Sequence, residues 1–147
     1  MGFTQIRLAS PEFDRQEFLT GVHAAFEIII KAFAEGEREQ LEALLSAEVF
    51  SNFSTSIAAR ENAKERMENT LIRIVSADPV EAFIEDQTAC VTVKIVSQQI
   101  NVTHNQEGEV VDGEPDQVSE ITDIWTFARD TKSDYPNWSL VATRSQD

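Results

Sequence analysis

The pattern of apolar and polar residues is clearest in the segment 119–129, which alternates with the period of two that a β-strand requires. One face of this segment carries Ile121, Asp123, Trp125 and Phe127, while smaller residues occupy the other face. β-Branched and aromatic residues dominate, and neither Gly nor Pro interrupts them. We therefore predict a central strand of an antiparallel sheet, in which one carboxylate lies among large aromatic residues.

Before residue 60 the apolar residues recur every three or four positions instead, which is typical of helices that bury one face. The longest predicted helix spans about 12–35, with Ser10 as its N-cap and Pro11 at its first helical position. Shorter helices are expected over 37–45 and from about 49 to 60. The buried face of the long helix is expected to contain Phe18, Leu19, Val22, Phe26, Ile29, Ile30 and Phe33.

After residue 70 the period changes to two, and we expect strands near 71–84, 88–103, 118–129 and 138–144. A bulge or bend is predicted at Asp78-Pro79, and 104–115 is interpreted as a loop. The first nine residues are weakly patterned and are interpreted as a short entry segment. Helices followed by consecutive strands indicate an α+β fold, with the long helix over the concave face of a curved four-stranded antiparallel sheet. At 147 residues, the chain is expected to be one domain over 1–147.

Charge restricts the function classes more than length does. The chain has 26 acidic and 12 basic residues, a net charge of -14. Nucleic-acid binding is therefore not expected, because it needs a basic surface. The same charge opposes attraction of the whole surface to anionic lipid, although a local basic patch could still act.

Few side chains suit catalysis or metal binding. The two histidines, His23 and His104, have no partner at metal-ligand spacing, and the single Cys90 is interpreted as a small buried residue. The acids of 107–116 lack the spacing of a calcium loop and are interpreted as solvated. We expect no catalytic residue, no metal and no cofactor. Asp123 leaves two interpretations open: a structural carboxylate with hydrogen-bond partners, or a general base that lines a cavity.

The large apolar residues of the predicted helices and of the Trp125 strand should belong to one core. Some of them are expected to line a hydrophobic pocket between helix and sheet. The predicted pocket-lining residues are Phe26, Phe33, Phe53, Trp125 and Phe127.

Three segments in order resemble the Tim44-like domain family, and together they cover 18–143. The first resembles the opening helix of that family and reads Phe18-Leu19-x-Gly21, then Ala25-Phe26-Glu27-x-Ile29, then Ala32-Phe33-Ala34-x-Gly36. The second resembles its signature strand and reads Val111-x-Gly113-Glu114-Pro115, then Glu120-x-Thr122-Asp123-x-Trp125-Thr126-Phe127-x-Arg129. The third resembles its closing strand and reads Pro136-Asn137-Trp138-x-Leu140-Val141-Ala142-Thr143.

This resemblance implies a cystatin-like or nuclear-transport-factor-two-like cone, with helices on a curved antiparallel sheet that encloses a hydrophobic pocket. It also implies a non-catalytic, membrane-associated binding or scaffold domain for protein translocation or membrane-protein assembly. The implied partners are translocase or membrane-protein-assembly components and a weakly bound, anionic membrane lipid.

The resemblance implies a location at the bacterial inner membrane or the mitochondrial inner membrane, and it does not specify the side. A membrane anchor precedes this domain in the bacterial members of the family, so the chain is expected to be a fragment without it. The alternative is a cone-fold small-molecule binder or enzyme with Asp123 in its cavity.

Any lipid contact is expected in the N-terminal segment and first helix and not in the sheet. Apolar residues interspersed with a few basic ones are typical of an interfacial helix. Because the net charge is strongly negative, such binding should be weak and salt-sensitive. The alternative is that the same apolar residues pack on the domain. The predicted membrane-contact residues are Phe3, Ile6, Arg7, Phe13, Arg15 and Phe18.

Overall fold

A computed structural model of the chain describes residues 2–9, 13–132 and 138–146. Within these ranges, four helices precede five strands, which confirms the α+β class. The helices are α1 (Gly2–Ala9), α2 (Arg15–Glu35), α3 (Arg38–Leu44) and α4 (Ala47–Asn62). The strands are β1 (Arg66–Glu85), β2 (Thr88–His104), β3 (Val110–Gly113), β4 (Ser119–Asp130) and β5 (Ser139–Gln146).

The sheet is antiparallel, open, and ordered β1-β2-β4-β5, with β3 added beside the end of β2. The prediction of four strands was wrong by one, because Val110–Gly113 pairs with β2 inside the segment interpreted as a loop. Strand β1 begins at Arg66, opposite His104, and so starts before the predicted 71. An isolated parallel bridge joins Leu45 to Leu140 outside the named strands.

Irregular pairing along β1 shapes the sheet. The register of β1 against β2 shifts three times, and each extra residue bends a strand and increases its twist. One shift lies between Pro79 and Glu81, which confirms the irregularity predicted at Asp78-Pro79.

Helix α2 begins and ends at two clear capping residues. The side chain of Asp14 accepts hydrogen bonds from the backbone N–H groups of Gln16 and Glu17, at 2.8 and 3.2 Å. Gly36 ends the helix in the left-handed conformation, at a φ of 73°. The predicted start near residue 12 was therefore early, and the predicted cap residues Ser10 and Pro11 lie outside the described residues.

The N-terminal residues, interpreted above as an entry segment, form helix α1, which packs against β1. The side chain of Ile6 has no solvent exposure and belongs to the core. A Cβ on Gly2 would overlap the carbonyl group of Ala82, so glycine permits this close approach of α1 to β1. A helix of two turns with one buried residue is too short to produce a clear sequence period.

The core lies between α2 and the inward face of the sheet. Val91 and Val93 of β2 are fully buried, and their partners on β4 are Phe127 and Trp125. The ring centroids of Phe26 on α2 and Trp125 lie 4.9 Å apart. The helices therefore cover the face on which Trp125 was predicted to lie.

Beyond Ile95 the inward face of β2 becomes polar. The side-chain amide of Asn69 donates to Gln99 Oε1 and Asn101 Oδ1 at 2.7 and 2.6 Å, and that of Gln99 donates to Ser97 Oγ at 2.8 Å. These bonds pair amide groups that would otherwise be costly to bury.

Candidate functional site: an aromatic cleft beside the first helices

An apolar cleft of about 570 Å³ opens between the first half of α2, the end of α3, the end of β4 and Trp138, the residue before β5. We call it the aromatic cleft. Its volume lies within the roughly 300–1,000 Å³ that small-molecule sites occupy. Its apolar wall consists of Phe13, Phe18, Val22, Ala25, Ala43, Leu44, Phe127 and Trp138. Its remaining lining residues are Asp14, Glu17, Thr20, Gly21 and Arg129.

Four aromatic rings form one continuous wall of this cleft. The ring of Trp138 lies 4.8 Å from that of Phe18 and 5.9 Å from that of Phe13, in edge-to-face arrangements. Phe18 in turn meets Phe127 edge to face at 6.2 Å. Such arrangements are favourable for aromatic pairs, so the rings hold one another in place. The wall is therefore formed before any ligand arrives.

Gly21 lies in the middle of α2 and lines the cleft. Gly is about 1 kcal/mol less favourable than Ala in a helix interior. Close packing does not explain its presence, because a Cβ built on Gly21 would meet no atom within 4 Å. Because Gly21 is exposed and borders open space, we interpret it as the mouth of the cleft, which the missing side chain leaves open. The role of Gly21 in the cleft was not predicted from the sequence, although an isolated Gly in a strong helical pattern is a signal that could have revealed it.

The polar residues of the cleft lie at its rim. Asp14 is committed to capping α2, and the neighbouring Glu17 is exposed. Arg129 of β4 adds a positive charge on the opposite side. The four rings of the wall contribute mainly apolar contact. This arrangement suits a ligand with an apolar body inside the cleft and a polar end in solvent.

Of the five predicted pocket residues, Phe127 alone lines either of the two clefts described here. Phe127 lines the aromatic cleft, whereas Phe26 and Trp125 pack against each other in the closed core. Phe33 and Phe53 form a separate edge-to-face pair, at 5.1 Å, between α2 and α4.

The predicted membrane-contact residues are divided between the core and the surface. Ile6 and Phe18 are buried, and Phe3 is partly buried against the core. Phe13, also partly buried, stacks on Phe3 at 5.7 Å. The two basic residues are exposed, and the guanidinium of Arg15 lies 5.1 Å from the centre of the Phe3 ring. Arg7 lies on the exposed side of α1.

Asp123 lies on the inward face of β4, as predicted, one row beyond Trp125. Burial raises the pKa of its carboxyl group, and a hydrogen bond with Ser145 on β5 partly opposes that rise. Asp123 lines neither the aromatic cleft nor the polar groove described next.

A second cleft of about 500 Å³, the polar groove, lies where the ends of α2 and α4 meet the start of β1. Its main feature is Arg60, which donates to the carbonyl oxygens of Phe33 and Ala34 at 2.7 and 3.1 Å. These carbonyls belong to the last turn of α2, which a positive charge stabilises. Partial burial lowers the pKa of the Arg60 guanidinium. We interpret Arg60 as a clamp between α2 and α4.

The sequence analysis also considered metal ligands and the single cysteine. Within 2–9, 13–132 and 138–146, no group of three or more His, Cys, Asp or Glu side chains is placed to hold a metal ion. Cys90 is partly buried, and burial raises the pKa of its thiol. None of the helices in these same ranges is long and apolar enough to cross a membrane.

Comparison with known proteins gives consistent results. A family model described as "Tim44-like domain" matches residues 1–145. The probable mitochondrial import inner membrane translocase subunit tin-44 of Caenorhabditis elegans is 29% identical over 150 aligned residues, which cover 98% of this chain and 35% of that protein. The subunit TIM44 of Mus musculus is 25% identical over 141 residues, which cover 94% of this chain and 31% of that protein. The chain thus spans about a third of the length of these curated relatives.

Among solved structures, the intermembrane space region of the chloroplast protein ARC6 shares the fold, with a TM-score of 0.58 and 13% identity. The match covers 92% of this chain and 98% of that one. A likeness at this identity concerns the fold alone. The match of the family model over nearly the whole sequence is what assigns the family. The chain belongs to the Tim44-like domain family.

Proposed function

We propose that this domain is a non-catalytic binding module that serves protein translocation or membrane-protein assembly at an inner membrane. Its curated relatives are named as subunits of the mitochondrial import inner membrane translocase, which supports a link to translocation. Its partners are then translocase or assembly components, together with membrane lipid. The proposal concerns this domain only, since the chain spans about a third of those relatives.

The observation that carries the proposal is the aromatic cleft, with its preformed wall and its mouth at Gly21. An apolar wall with a polar rim fits a linear apolar chain whose polar end stays in solvent, as in a lipid acyl chain. Phe13 and Trp138 are only partly buried in this wall, and a bound chain would cover the apolar surface that they leave open to water.

The alternative, an enzyme or small-molecule binder with Asp123 in its cavity, has less support. Asp123 is hydrogen-bonded to Ser145, and neither cleft includes it. A general base must reach the proton that it removes from a bound substrate, and these two clefts place no substrate beside Asp123.

A titration with cis-parinaric acid, a fluorescent fatty acid, tests the cleft. Gly21→Leu should weaken binding about tenfold or more, equivalent to 1.4 kcal/mol, because the new side chain fills the mouth. Gly21→Ala is the matched control: both variants gain about 1 kcal/mol of helix propensity, but Ala adds only a methyl group. Equal binding by all three proteins would place the fatty acid elsewhere. Absence of binding to the intact chain would refute the cleft as an apolar binding site.

The membrane contact is proposed for α1 and the start of α2, through Phe3, Ile6, Arg7, Phe13, Arg15 and Phe18. Ile6 is fully buried, so its insertion into lipid requires α1 to leave the domain. Undocking exposes Ile6 at a cost of roughly 1.5–3 kcal/mol, which its burial in lipid about cancels, so little apolar gain is left to drive binding. Each Arg returns roughly 1 kcal/mol at an anionic surface. Binding should therefore be weak and lost at high salt.

Flotation with cardiolipin-rich vesicles tests this contact. The intact chain should float at low salt, and Arg7→Glu should abolish flotation, because it reverses a charge on the inserting helix. Arg73→Glu, which reverses an exposed charge on β1, is the matched control and should leave flotation unchanged. Equal flotation of the two variants would refute a contact through α1. Failure of the intact chain to float at low salt would refute direct lipid binding.

A further inference from the structure

We infer that α1 controls the aromatic cleft through one pair of stacked rings, Phe3 and Phe13. While α1 is docked, Phe3 holds Phe13 in the cleft wall; when α1 leaves the domain, the wall loses this ring and the affinity for an apolar ligand falls. For its ligand, the inference rests on the binding function proposed above.

Phe13 contacts α1 and is also part of the cleft wall. One side of its ring stacks on Phe3 of α1, with the centroids 5.7 Å apart and the planes 23° from parallel. The ring also meets Phe18 at 6.0 Å and Trp138 at 5.9 Å, inside the cleft wall. It precedes the N-cap Asp14 and so lies outside the regular part of α2. Its orientation therefore depends on its ring neighbours and not on helical backbone.

Helix α1 is a separate unit that can be docked or undocked. It is held by the buried Ile6, by the approach of Gly2 to Ala82, and by Arg15 over the Phe3 ring. It packs chiefly against β1, whereas the cleft is lined by α2 and the two residues before it, by α3, by β4 and by Trp138, which precedes β5. Among the described ring contacts, the stack of Phe3 on Phe13 is the one that joins α1 to the cleft wall.

A cleft whose wall is already ordered binds more tightly than one whose wall must be ordered by the ligand. When α1 leaves, Phe13 loses its stacking partner. Part of the ligand's binding free energy is then spent on ordering the Phe13 ring, which lowers the affinity. Coupling of this kind is reciprocal, so a ligand in the cleft must also favour docked α1.

The two proposed activities of the domain then oppose each other. Insertion of α1 into lipid withdraws Phe3 from Phe13, which weakens the cleft. A domain that arrives at the membrane with a loaded cleft is therefore driven to release its ligand as α1 inserts. Neither event needs a change in the sheet.

Affinity for cis-parinaric acid tests the coupling. Phe3→Ala should lower the affinity by about fivefold or more, the lower end of typical coupling between sites. The matched control is Leu8→Ala on the same helix, where Leu8 is 79% exposed and away from Phe13. It should leave the affinity unchanged. Fatty-acid binding to the intact chain should also slow hydrogen exchange of the α1 amides. If the intact chain, Phe3→Ala and Leu8→Ala all bind the fatty acid equally tightly, the coupling is wrong, whereas the proposed binding function of the cleft stands.

The emission of Trp138 tests the same coupling without any ligand. The chain has two Trp residues, so Trp125→Phe leaves Trp138 as the only reporter. In that background Phe3→Ala should shift the emission to longer wavelength, because Phe13 no longer shields Trp138, and Leu8→Ala should not. If the intact chain binds no fatty acid, the proposed function fails, and this emission alone decides the inference. Unchanged emission in Phe3→Ala overturns it.

Discussion

Replacement of Trp125 by Ala tests the assignment of the inward face of the sheet. Trp125 is 5% exposed, and its ring lies 4.9 Å from that of Phe26 and 6.3 Å from that of Phe127. Truncation removes the whole indole from this closed layer and leaves a cavity that the rigid sheet cannot fill. Such substitutions cost about 3–5 kcal/mol. This loss is a large part of the roughly 5–15 kcal/mol that stabilises a typical domain.

Urea denaturation followed by circular dichroism measures the change in the free energy of unfolding. If the dependence of that free energy on urea concentration is the same in the variant, the folded and unfolded states have kept their compactness. Trp138→Ala is the matched control. Trp138 is only partly buried and borders a cleft that is already open, so its loss creates no sealed void and should cost less than about 2 kcal/mol. A loss below about 1 kcal/mol for Trp125→Ala, or an equal loss for both variants, would refute the assignment of the face.

Two further substitutions test the polar contacts. Asp123→Asn should stabilise the protein at neutral pH, because burial raises the pKa of Asp123 and makes its charged form unfavourable. This advantage should shrink as the pH falls and vanish near about pH 3, roughly one unit below the unfolded pKa of about 3.9, where the carboxyl is mostly protonated in both states; an advantage independent of pH would contradict this expectation. Arg60→Met should cost about 2 kcal/mol, because two carbonyls of α2 lose a charged donor. Arg38→Met, at an exposed ion pair, should cost clearly less, and equal losses in thermal or urea unfolding would refute the clamp.

Much of the fold could be predicted because its largest elements bury one face each. The alternation around Trp125 identified β4, and the three- and four-residue spacing around Phe26 identified α2. Both residues do meet in the core. These periodic patterns depend only on residues close in sequence, so they can be recognised without knowledge of the tertiary structure.

The missed elements lack such a signal. All four residues of β3 are exposed, so no apolar period marks this strand, and its pairing with β2 is purely a backbone feature. Ser10 and Asp14 are both residue types that cap helices well, and the sequence alone does not choose between them. The cleft was missed for a different reason: Phe13 and Trp138 come from opposite ends of the chain. Nothing local distinguishes Phe13 at its wall from Phe26 in the closed core.

The most direct test of the central claim is to locate a bound apolar chain on the domain. Amide and indole NMR shifts would be recorded while a short-chain phosphatidylcholine is added below its critical micelle concentration. We expect the largest changes around the aromatic cleft, at Gly21, Ala25, Leu44 and Trp138, and we expect them to disappear in Gly21→Leu but to persist in Gly21→Ala. Changes that centre on another surface, or that persist in Gly21→Leu, would contradict that claim.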